Sequence, residues 1–357
     1  MFCNGCYGHF LNSAVDAGPD CVDTRCPQHK CKVVVPHSAQ HKFLSEEKFK
    51  KFKSYLVSRY IDAHPKFRFC PAPGCSKIAV GSGVTHVDCS CSLPFCFRCG
   101  EEVHDPASCD QVAEWKVKCT NESETANWIL ANTKKCPKCA ARIEKNQGCN
   151  HMTCKICKHD FCWICLQPWQ DHGGGYYKCN RFVSKEEVGA QKAKAELERY
   201  LHYYQRYHNH DQAMQLAKTT HLPSAEKRMQ DMLNTGHRWP DVLYLKQAME
   251  QIIKCRRVLK YTYVLGYCLQ SNTDLEKTRK ELYEDHQSLL ELKTDTLHEK
   301  MERPVAGADE KKALETKNEV VNLTRVTSTL LENLLNYMKD MYRDMVLNQD
   351  TEALMDV

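Results

Sequence analysis

Residues 136–165 read CPKCAARIEKNQGCNHMTCKICKHDFCWIC, and seven of these residues are cysteines. Two cysteines separated by two residues place both thiolates on one tight turn, which is the donor arrangement of tetrahedral zinc sites. His172 and Cys179 follow, so this part of the chain provides nine possible donors. Eight of them fill two zinc sites, one formed by Cys136, Cys139, Cys154 and Cys157, the other by Cys162, Cys165, His172 and Cys179. The spacing therefore predicts a small lobe held together by two metal ions.

The ninth donor, Cys149, has no vacancy to fill in either predicted site. It lies between Gly148 and Asn150, in a loop bracketed by metal-binding turns, and His151 is two residues away. A thiol beside an imidazole has the parts of a nucleophile and its base. The alternative is a spare cysteine, because catalytic Cys and His pairs are usually assembled across space rather than along the sequence. The chain does carry other spare cysteines, namely Cys21, Cys119, Cys255 and Cys268. Spacing alone leaves both interpretations open.

A second cysteine-rich lobe precedes this one, and its donors also divide into two sets of four. The first set is Cys70, Cys75, Cys89 and Cys91, and the second is Cys96, Cys99, His104 and Cys109. Disulfides would leave His104 without a role and would not suit a reducing compartment. We therefore predict four complete zinc sites in the two lobes. Four protein ligands leave no open coordination position, so the ions are expected to be structural.

The composition of the 357-residue chain also favours metal-stabilised lobes over a secreted disulfide scaffold. Of 23 cysteines, all but Cys255 and Cys268 precede residue 180, and the chain starts without a signal-like segment. Lobes of this size have little apolar core, so each ion would supply roughly 10–16 kcal/mol of folding free energy. No apolar run approaches the ~20 residues of a membrane span. The net charge of +5 is spread along the chain, so a nucleic-acid-binding zinc finger, which needs a basic stripe, ranks last.

Beyond Cys179 the sequence predicts a bundle of about four long antiparallel helices. Two sets of apolar residues recur at helical spacing, Val242, Leu245, Met249, Ile252 and Leu259, and then Val320, Leu323, Leu330, Leu334, Met338 and Met341. Such stripes are typical of a core, and so are Tyr200, Tyr203, Tyr204 and Tyr207. A further helix is predicted over residues 44–63, with Ser45 as its cap.

The motifs of the two lobes resemble those of RING-between-RING ubiquitin ligases. The resemblance rests on CPKC at 136–139, IEKNQGCNHM at 143–152 and FCWICL at 161–166. The linking segment at 122–128 and the long helical tail narrow it to the Ariadne subfamily. It implies that Cys149 accepts ubiquitin as a thioester, that His151 is the base that deprotonates the attacking amine, and that Glu144 has an accessory role. It also implies that the tail folds back over the last lobe and hides its cysteine.

The resemblance further implies a multidomain fold class, in which small zinc-stapled lobes are followed by an all-α bundle. The expected segments are a partial first RING at 1–43, a linking helix at 44–66, an in-between-RING zinc lobe at 67–110, a linker at 111–135, a catalytic second RING at 136–180 and a helical Ariadne-like domain at 181–357. Zinc is the expected cofactor. Expected partners are a ubiquitin-charged E2 conjugating enzyme, ubiquitin, protein substrates and neddylated cullin-RING ligases, in the cytoplasm and also the nucleus.

The first RING departs from the family pattern. Cys3, Cys6, Cys26 and Cys31 provide half of the eight ligands of a cross-braced RING, so neither site closes unless Cys21, His29 or His37 contributes. We therefore expect the chain to begin inside the RING and to recruit a conjugating enzyme poorly. The alternative to a ligase is then a catalytically impaired zinc scaffold or pseudo-ligase. In the tail, Ala217 stands where the resemblance aligns a family glutamate, which predicts a weaker clamp on the cysteine.

Overall fold

The computed structural model of the protein describes residues 2–81, 85–121, 133–145, 148–172, 178–182, 190–269, 273–302 and 310–355. The predicted linking segment at 122–128 lies outside these ranges. The chain divides into two compact units, Met1–Val103 and His104–Val357. The boundary between the units falls inside the lobe predicted at 67–110, so the predicted segment limits stay a prediction.

The first unit consists of short helices followed by two hairpins. Its helices are α1 (Asn4–Ala17), a 3-10 turn (Pro19–Asp23), α2 (His37–Phe43) and α3 (Glu46–Ala63). Strands β1 (Phe67–Phe69) and β2 (Ile78–Val80) pair antiparallel, as do β3 (His86–Asp88) and β4 (Pro94–Cys96). Leu11, Val15 and Phe52 are buried between the helices. The Ser45 hydroxyl accepts a hydrogen bond from the Lys48 N–H at 3.4 Å, which confirms the predicted cap of α3.

The second unit begins with a helix and two more hairpins. Helix α4 is Cys109–Asn121, and the strands are β5 (Thr133–Lys135), β6 (Arg142–Glu144), β7 (His151–Thr153) and β8 (Asp160–Cys162). Strands β5 and β6 pair antiparallel, and so do β7 and β8, with His151 opposite Cys162 and Thr153 opposite Asp160. Short 3-10 turns at Trp169–His172 and Lys178–Asn180 follow. Met152 and Phe161 form the small apolar centre of this lobe.

Long helices make up the rest of the second unit. They are α5 (Ala190–Leu216), a π-helical turn (Ala217–His221), α6 (Leu222–Asn234), α7 (Trp239–Val242), α8 (Tyr244–Cys268), α9 (Asp274–Glu302) and α10 (Glu310–Met355). Helices α5 and α8 run antiparallel, because residue numbers increase along α5 as they decrease along α8 in the contacts between them. Tyr203 contacts Tyr267, Tyr207 contacts Tyr261, and His210 contacts Arg256. The same order joins α8 to α9, where Tyr263 contacts Glu291 and Arg256 contacts Asp295. The predicted antiparallel bundle is therefore confirmed in these helices.

The predicted apolar stripes form the bundle core. Val242, Leu245, Met249, Ile252 and Leu259 are buried, as are Val320, Leu334, Met338 and Met341, while Leu323 and Leu330 are partly buried against them. Tyr200 and Tyr203 are buried beside Trp115 of α4, and Tyr204 and Tyr207 pack against the same cluster. The tyrosines are thus core residues, as predicted. No helix in the described part of the chain combines the length and apolar character that crossing a membrane requires.

Candidate active site

Tight cysteine turns repeat through the 136–165 stretch and give it its local shape. In each turn the backbone N–H of the residue after the second cysteine donates to the carbonyl of the first cysteine: Ala140 to Cys136, Lys158 to Cys154 and Leu166 to Cys162, each at 2.9 Å. These three residues have positive φ values of 59°, 56° and 61°. A non-glycine residue in this region is uncommon and persists only where the surroundings impose it. The backbone therefore closes around the two thiols of each pair.

Two groups of four cysteines have the geometry of zinc sites. In the second unit the Sγ atoms of Cys136 and Cys157 are 3.6 Å apart, as are those of Cys139 and Cys154. In the first unit Cys70 and Cys91 are separated by 3.5 Å and Cys75 and Cys89 by 3.9 Å. Tetrahedral zinc with Zn–S bonds of about 2.3 Å spaces its thiolates by roughly 3.8 Å. Disulfides need about 2.05 Å, so the distances fit metal and exclude disulfides within these groups.

The backbone also prepares individual thiols for metal. The N–H of Cys157 bonds to the Cys154 sulfur and lowers the pKa of that thiol to about 6. The N–H of Cys91 has the same effect on Cys89, whose pKa falls to about 7. Zinc binds the thiolate and not the thiol. The four-cysteine groups therefore fit the structural zinc that the sequence predicts.

The other predicted metal ligands are placed less completely. Cys162, Cys165 and Cys179 come together in the second unit, while the side chain of His172 lies outside the described residues. The set of Cys96, Cys99, His104 and Cys109 divides between the two units, and its site stays a prediction. Within the second unit, His104 Nδ1 donates to the Ala107 carbonyl at 2.7 Å, which leaves Nε2, 3.5 Å from the Cys109 sulfur, as the metal-binding nitrogen.

The four cysteines of the predicted first RING do not form a ligand group among the described residues. Cys3 and Cys6 are exposed at the start of α1, where the Cys3 sulfur accepts a hydrogen bond from the Cys6 N–H and caps the helix. Cys26 and Cys31 are partly buried. No described group of three or more donors includes any of them. The incompleteness of the metal sites in this segment stays a prediction.

Cys149 lies between the metal-binding turns and is not part of either group. Only 2% of its surface is exposed, and its sulfur accepts a hydrogen bond from the His151 N–H at 3.3 Å. It lines a cleft of about 670 Å³ together with His151, Glu144 and residues of α9. Burial, and next the negative charge of Asp295, raise the pKa of the Cys149 thiol well above its ordinary value. In this arrangement Cys149 is a protonated thiol covered by the helical bundle.

His151 is held between two carboxylates and an aromatic ring. Its Nε2 is 3.4 Å from Asp160 Oδ1 of the same lobe, and its Nδ1 is 3.6 Å from Glu299 Oε2 of α9. The Trp169 ring stacks on the imidazole, with centroids 4.5 Å apart and planes 7° from parallel. Burial lowers the pKa of His151, but Glu299 and then Asp160 outweigh it, so the pKa lies above the ordinary value. The imidazole is thus oriented from three sides.

Asp160 is a residue that the sequence interpretation missed, and the accessory role of Glu144 stays a prediction. Glu144 is exposed at the end of β6 and lines the cleft, but no described hydrogen bond or ion pair joins it to Cys149 or His151. Asp160 sits opposite Thr153 in the β7–β8 hairpin and receives that hydroxyl's hydrogen bond at 2.5 Å. The pairing of β7 with β8 brings Asp160 beside His151, and this register could have been inferred from the Met152 and Phe161 pattern.

A buried polar network joins the loop of Cys149 to the bundle. Asn150 is fully buried; its Nδ2 donates to Glu291 Oε1 at 3.2 Å, and its Oδ1 accepts from Asn209 Nδ2 at 2.7 Å. Lys145 donates to the Oδ1 atoms of Asn150 and Asn209, and burial lowers its pKa to about 8. Tyr263 donates to Glu291 Oε2 at 2.6 Å. Asn150 and Lys145 of the lobe are thus hydrogen-bonded to residues of the bundle.

Further contacts hold the same surface together. Arg256 Nη2 donates to Asp295 Oδ1 at 2.6 Å, with both side chains inaccessible to solvent. The Gly148 N–H donates to Glu302 Oε1 at 2.9 Å. A Cβ on Gly148 would lie 1.9 Å from His298 Cε1, so only glycine fits here. Ala217, by contrast, is buried in the apolar core around Met229 and Met249. The acidic groups that reach the loop come from α9.

Comparisons with known proteins agree with this architecture. Residues 50–109 match the IBR domain, a half RING-finger domain, and residues 131–176 match the IBR domain as well. Residues 198–346 match the Ariadne domain. Two cysteine-rich lobes followed by this helical domain define a protein of the RING-between-RING class. The predicted fold class, small metal-binding lobes before a helical bundle, is confirmed.

The most informative relatives are curated ubiquitin ligases. The E3 ubiquitin-protein ligase dbl4 of Schizosaccharomyces pombe is 40% identical over 315 residues, which cover 85% of this chain and 61% of the relative. The probable E3 ubiquitin-protein ligase rbrA of Dictyostelium discoideum is 38% identical over 353 residues, covering 94% and 67%. The E3 ubiquitin-protein ligase ariadne-1 of Drosophila melanogaster is 35% identical over 316 residues, covering 86% and 61%.

The chain belongs to the Ariadne family of RING-between-RING E3 ubiquitin ligases. It spans about six tenths of the length of several of the curated relatives that it matches.

Proposed function

We propose that this protein is an E3 ubiquitin ligase that carries ubiquitin as a thioester on Cys149 before passing it to a substrate lysine. A ubiquitin-charged E2 conjugating enzyme would be the donor, and a protein lysine the acceptor. The observation that carries the proposal is the position of Cys149, a thiol outside every metal group, in a loop framed by metal-binding turns and beside an oriented histidine.

The first step is thioester exchange. The Cys149 thiolate attacks the carbonyl carbon that joins ubiquitin to the conjugating enzyme, a new C–S bond forms, and the enzyme's cysteine leaves as a thiolate. Attacking and leaving groups have similar basicity, so the exchange needs access and a thiolate fraction rather than strong activation. The backbone N–H of His151, which donates to the Cys149 sulfur, would stabilise that thiolate.

The second step is aminolysis of the thioester. A lysine ammonium has no lone pair, so it must lose a proton before it attacks the carbonyl carbon and displaces the Cys149 thiolate. His151 is the base in this proposal. Asp160 orients its ring from within the lobe and stabilises the imidazolium that forms, and Trp169 fixes the plane of the ring. Zinc, when bound by the cysteine groups, supplies the rigid frame of the loop and takes no part in the transfer.

The covered position of Cys149 supports a second part of the proposal, that the arrangement is autoinhibited. A thiol that is 2% exposed cannot reach a folded donor protein, and its raised pKa removes the thiolate. Residues of α9 provide both effects, since Asp295 raises the thiol's pKa and Glu302 binds the neighbouring N–H. A partner that separates α9 from the lobe would activate the enzyme, and a neddylated cullin-RING ligase is the partner class that we propose.

Trapping the covalent intermediate tests the proposal. A form that lacks residues 183–357 and the full chain are each mixed with charged conjugating enzyme and with a ubiquitin thioester of a small thiol. We expect a ubiquitin adduct on non-reducing gels that reductant removes, and a reductant-stable adduct with Cys149→Ser. His151→Ala should slow discharge to free lysine more than it slows loading, because only the amine must lose a proton.

A matched substitution separates the nucleophile from a metal ligand. Cys154→Ser should release zinc and unfold the lobe, whereas Cys149→Ser should leave zinc content unchanged. Equal zinc loss in the two variants, or a wild-type adduct that survives reductant, would contradict the proposed role of Cys149.

The second candidate function is a zinc scaffold without ligase turnover. The observation that favours it is the absence of a ligand group around Cys3, Cys6, Cys26 and Cys31 in the described chain, because recruitment of the conjugating enzyme depends on that RING. A scaffold would bind partners but form no reducible adduct with either donor. Adduct formation from the small-thiol ester alone would instead indicate an active centre with impaired recruitment.

A further inference from the structure

A group of three potential metal ligands lies in the helical bundle, apart from all the cysteines. His221 ends the π-helical turn before α6, and His298 and Glu302 are one turn apart on α9. The His221 Nδ1 and His298 Nε2 atoms are 2.9 Å apart. Glu302 Oε1 is 3.7 Å from His221 Nδ1 and 3.6 Å from His298 Nε2. Three donor atoms thus form a compact triangle.

The triangle has the size of one face of a metal coordination sphere. Zinc bonds of about 2.0–2.1 Å to nitrogen and oxygen place tetrahedral ligands roughly 3.3 Å apart, and the three measured edges lie on both sides of that distance. The site is sheltered, because His298 is fully buried and the Glu302 and His221 side chains are 14% and 21% exposed. Two imidazoles with one carboxylate form a donor set common in zinc sites that keep one position open.

We propose that His221, His298 and Glu302 bind a divalent transition-metal ion of the zinc class, and that this ion fastens the bundle surface that covers the loop of Cys149. The fourth position would be filled by water. The ligands are contributed by two elements, so binding would join the π-helical turn to α9.

The surroundings of His298 provide the second-shell support that such a site needs. A metal on Nε2 requires a proton on Nδ1, and ligating histidines donate this proton to a carboxylate, a backbone carbonyl or water. Asp295 is three residues earlier on α9, and its Oδ2 is buried and has no hydrogen-bond partner within the described residues. Arg256 Nη2 contacts His298 Nδ1 at a long 3.4 Å while it donates to Asp295 Oδ1 at 2.6 Å. In this arrangement His298 Nδ1 faces a donor, so metal binding would require Nδ1 to take up a proton and turn from Arg256 towards the Asp295 carboxylate that shares this guanidinium.

The site is connected directly to the loop that it would control. The same Glu302 Oε1 that forms the triangle accepts the Gly148 N–H at 2.9 Å, and the His298 ring fills the space beside the Gly148 Cα. An ion would fix both side chains in the positions where they meet Gly148. The lobe would therefore separate from α9 less often when metal is bound. Only the effect on ubiquitin transfer rests on the proposed function. The binding of metal and the protection of the loop do not depend on it.

Cobalt titration tests the site in full-length protein whose cysteine groups hold zinc and from which more weakly bound zinc has been removed with a chelator. Thiolate sites give intense sulfur-to-cobalt charge-transfer bands, whereas a site of nitrogen and oxygen donors gives only d–d bands in the visible. We expect one extra equivalent of Co²⁺ with d–d bands alone, displaced by Zn²⁺. Loss of a ligand in His221→Gln or Glu302→Gln should weaken cobalt binding at least about a hundredfold. Mutation of a residue that only hydrogen-bonds to a ligand already lowers metal affinity by about 10–100-fold. His237→Gln, which removes an exposed histidine elsewhere, is the control.

Amide exchange tests the coupling without reference to any activity. Saturating Zn²⁺ should slow exchange of the Gly148 N–H at least about tenfold in wild type and leave it unchanged in His221→Gln, because local opening exposes this bond. Absence of a saturable thiolate-free cobalt site, or equal binding by His221→Gln, would overturn the metal site. Metal binding that leaves the exchange rate of the Gly148 N–H unchanged would contradict the proposal that the ion fastens the bundle surface over the loop. Either result leaves the test of the Cys149 thioester intact, so the two proposals fail separately.

Discussion

Gly148 is a residue at which the bundle lies in close contact with the loop of Cys149. Its N–H is bound by Glu302 and its Cα faces the His298 ring, which leaves no room for a side chain. Burial and the charge of Asp295 raise the pKa of the neighbouring Cys149 thiol, whereas the backbone N–H of His151 lowers it. The inhibition that we propose is therefore chemical as well as steric.

Gly148→Ala should uncouple the loop from α9. The new Cβ would lie 1.9 Å from the His298 ring, so one of the two surfaces must move. We expect alkylation of Cys149 by a small haloacetamide to become at least about tenfold faster, because a shift of 1.4 kcal/mol in the opening equilibrium is a factor of ten. The rate is read by mass spectrometry of the peptide that contains Cys149.

The control for this prediction is Gly5→Ala, because a Cβ at Gly5 meets nothing within 4 Å. An equal rate of Cys149 alkylation in wild type, Gly148→Ala and Gly5→Ala would show that the contact with His298 does not govern access to the thiol.

At the scale of elements, α9 buries a face that is rich in acidic residues. Glu291, Asp295, His298 and Glu302 follow one another at spacings of three or four residues, so they occupy one side of the helix. That side carries hydrogen bonds to Asn150 and Gly148 of the metal-bound lobe. Polar residues at helical spacing usually indicate a solvated face, and here they form a contact between two parts of one unit. Helix α5 provides a similar contact through His202, whose Nε2 donates to the Asn180 carbonyl at 2.9 Å.

The contact at His202 should make the stability of the second unit depend on pH. Burial, and next the charge of Arg206, lower the pKa of His202 to about 3, so the folded protein keeps it neutral. The unfolded chain takes up a proton near the ordinary pKa of ~6.5. More protons are then bound by the unfolded state between these two values, and the free energy of unfolding falls as the pH drops through this window.

Between pH 7.5 and pH 5.5 this one histidine should cost about 1 kcal/mol of stability. The glutamine in His202→Gln keeps a donor for the Asn180 carbonyl and cannot titrate. The free energy of unfolding of this variant should therefore fall by about 1 kcal/mol less than that of wild type on acidification. Denaturant unfolding of wild type and of His202→Gln at both pH values gives the loss of stability in each form. Subtracting one loss from the other removes the contribution of the metal sites, which the two forms share. The exposed His237→Gln should behave as wild type. A difference between the two pH values that is the same for wild type and His202→Gln would contradict the assignment.

In the second unit the metal-bound lobe and the helices belong to one compact body, within which Cys149 is an interior residue. Lobe and bundle are joined by a polar surface, in which Asn180 Nδ2 donates to the Glu284 carbonyl at 2.8 Å and Arg206 Nε donates to the Cys179 carbonyl at 2.9 Å. A contact of this kind can be replaced by water at modest cost, because its groups find new hydrogen bonds on exposure. The bundle is therefore suited to act as a removable cover.

Removal of residues 183–357 should expose the thiol while the cysteine groups keep their metal. We expect Cys149 to be alkylated at least about a hundredfold faster than in the full chain, as burial no longer suppresses the thiolate. Zinc content measured on both forms is the control for folding of the lobe, and Cys149→Ser in the shortened form identifies the modified residue. An unchanged rate with full zinc content would mean that the bundle does not protect the cysteine.

Cysteine spacing was sufficient to predict the two four-cysteine groups and the separate status of Cys149, and apolar residues at helical spacing were sufficient to predict the helical bundle. Thiolates on one tight turn must share a metal, and an apolar stripe must be buried. The partners of His151 and the cover over Cys149 depend on residues far apart in sequence. Asp160 reaches His151 through the pairing of β7 with β8, whereas Glu144, closer to Cys149 along the chain, remains exposed. Ala217 is buried in the apolar core. The acidic contacts to the loop of Cys149 that were expected near Ala217 are made instead by Glu291 and Glu302 of α9. Tertiary packing alone decides which polar groups meet, because a carboxylate has no periodic pattern that distinguishes a buried partner from solvent.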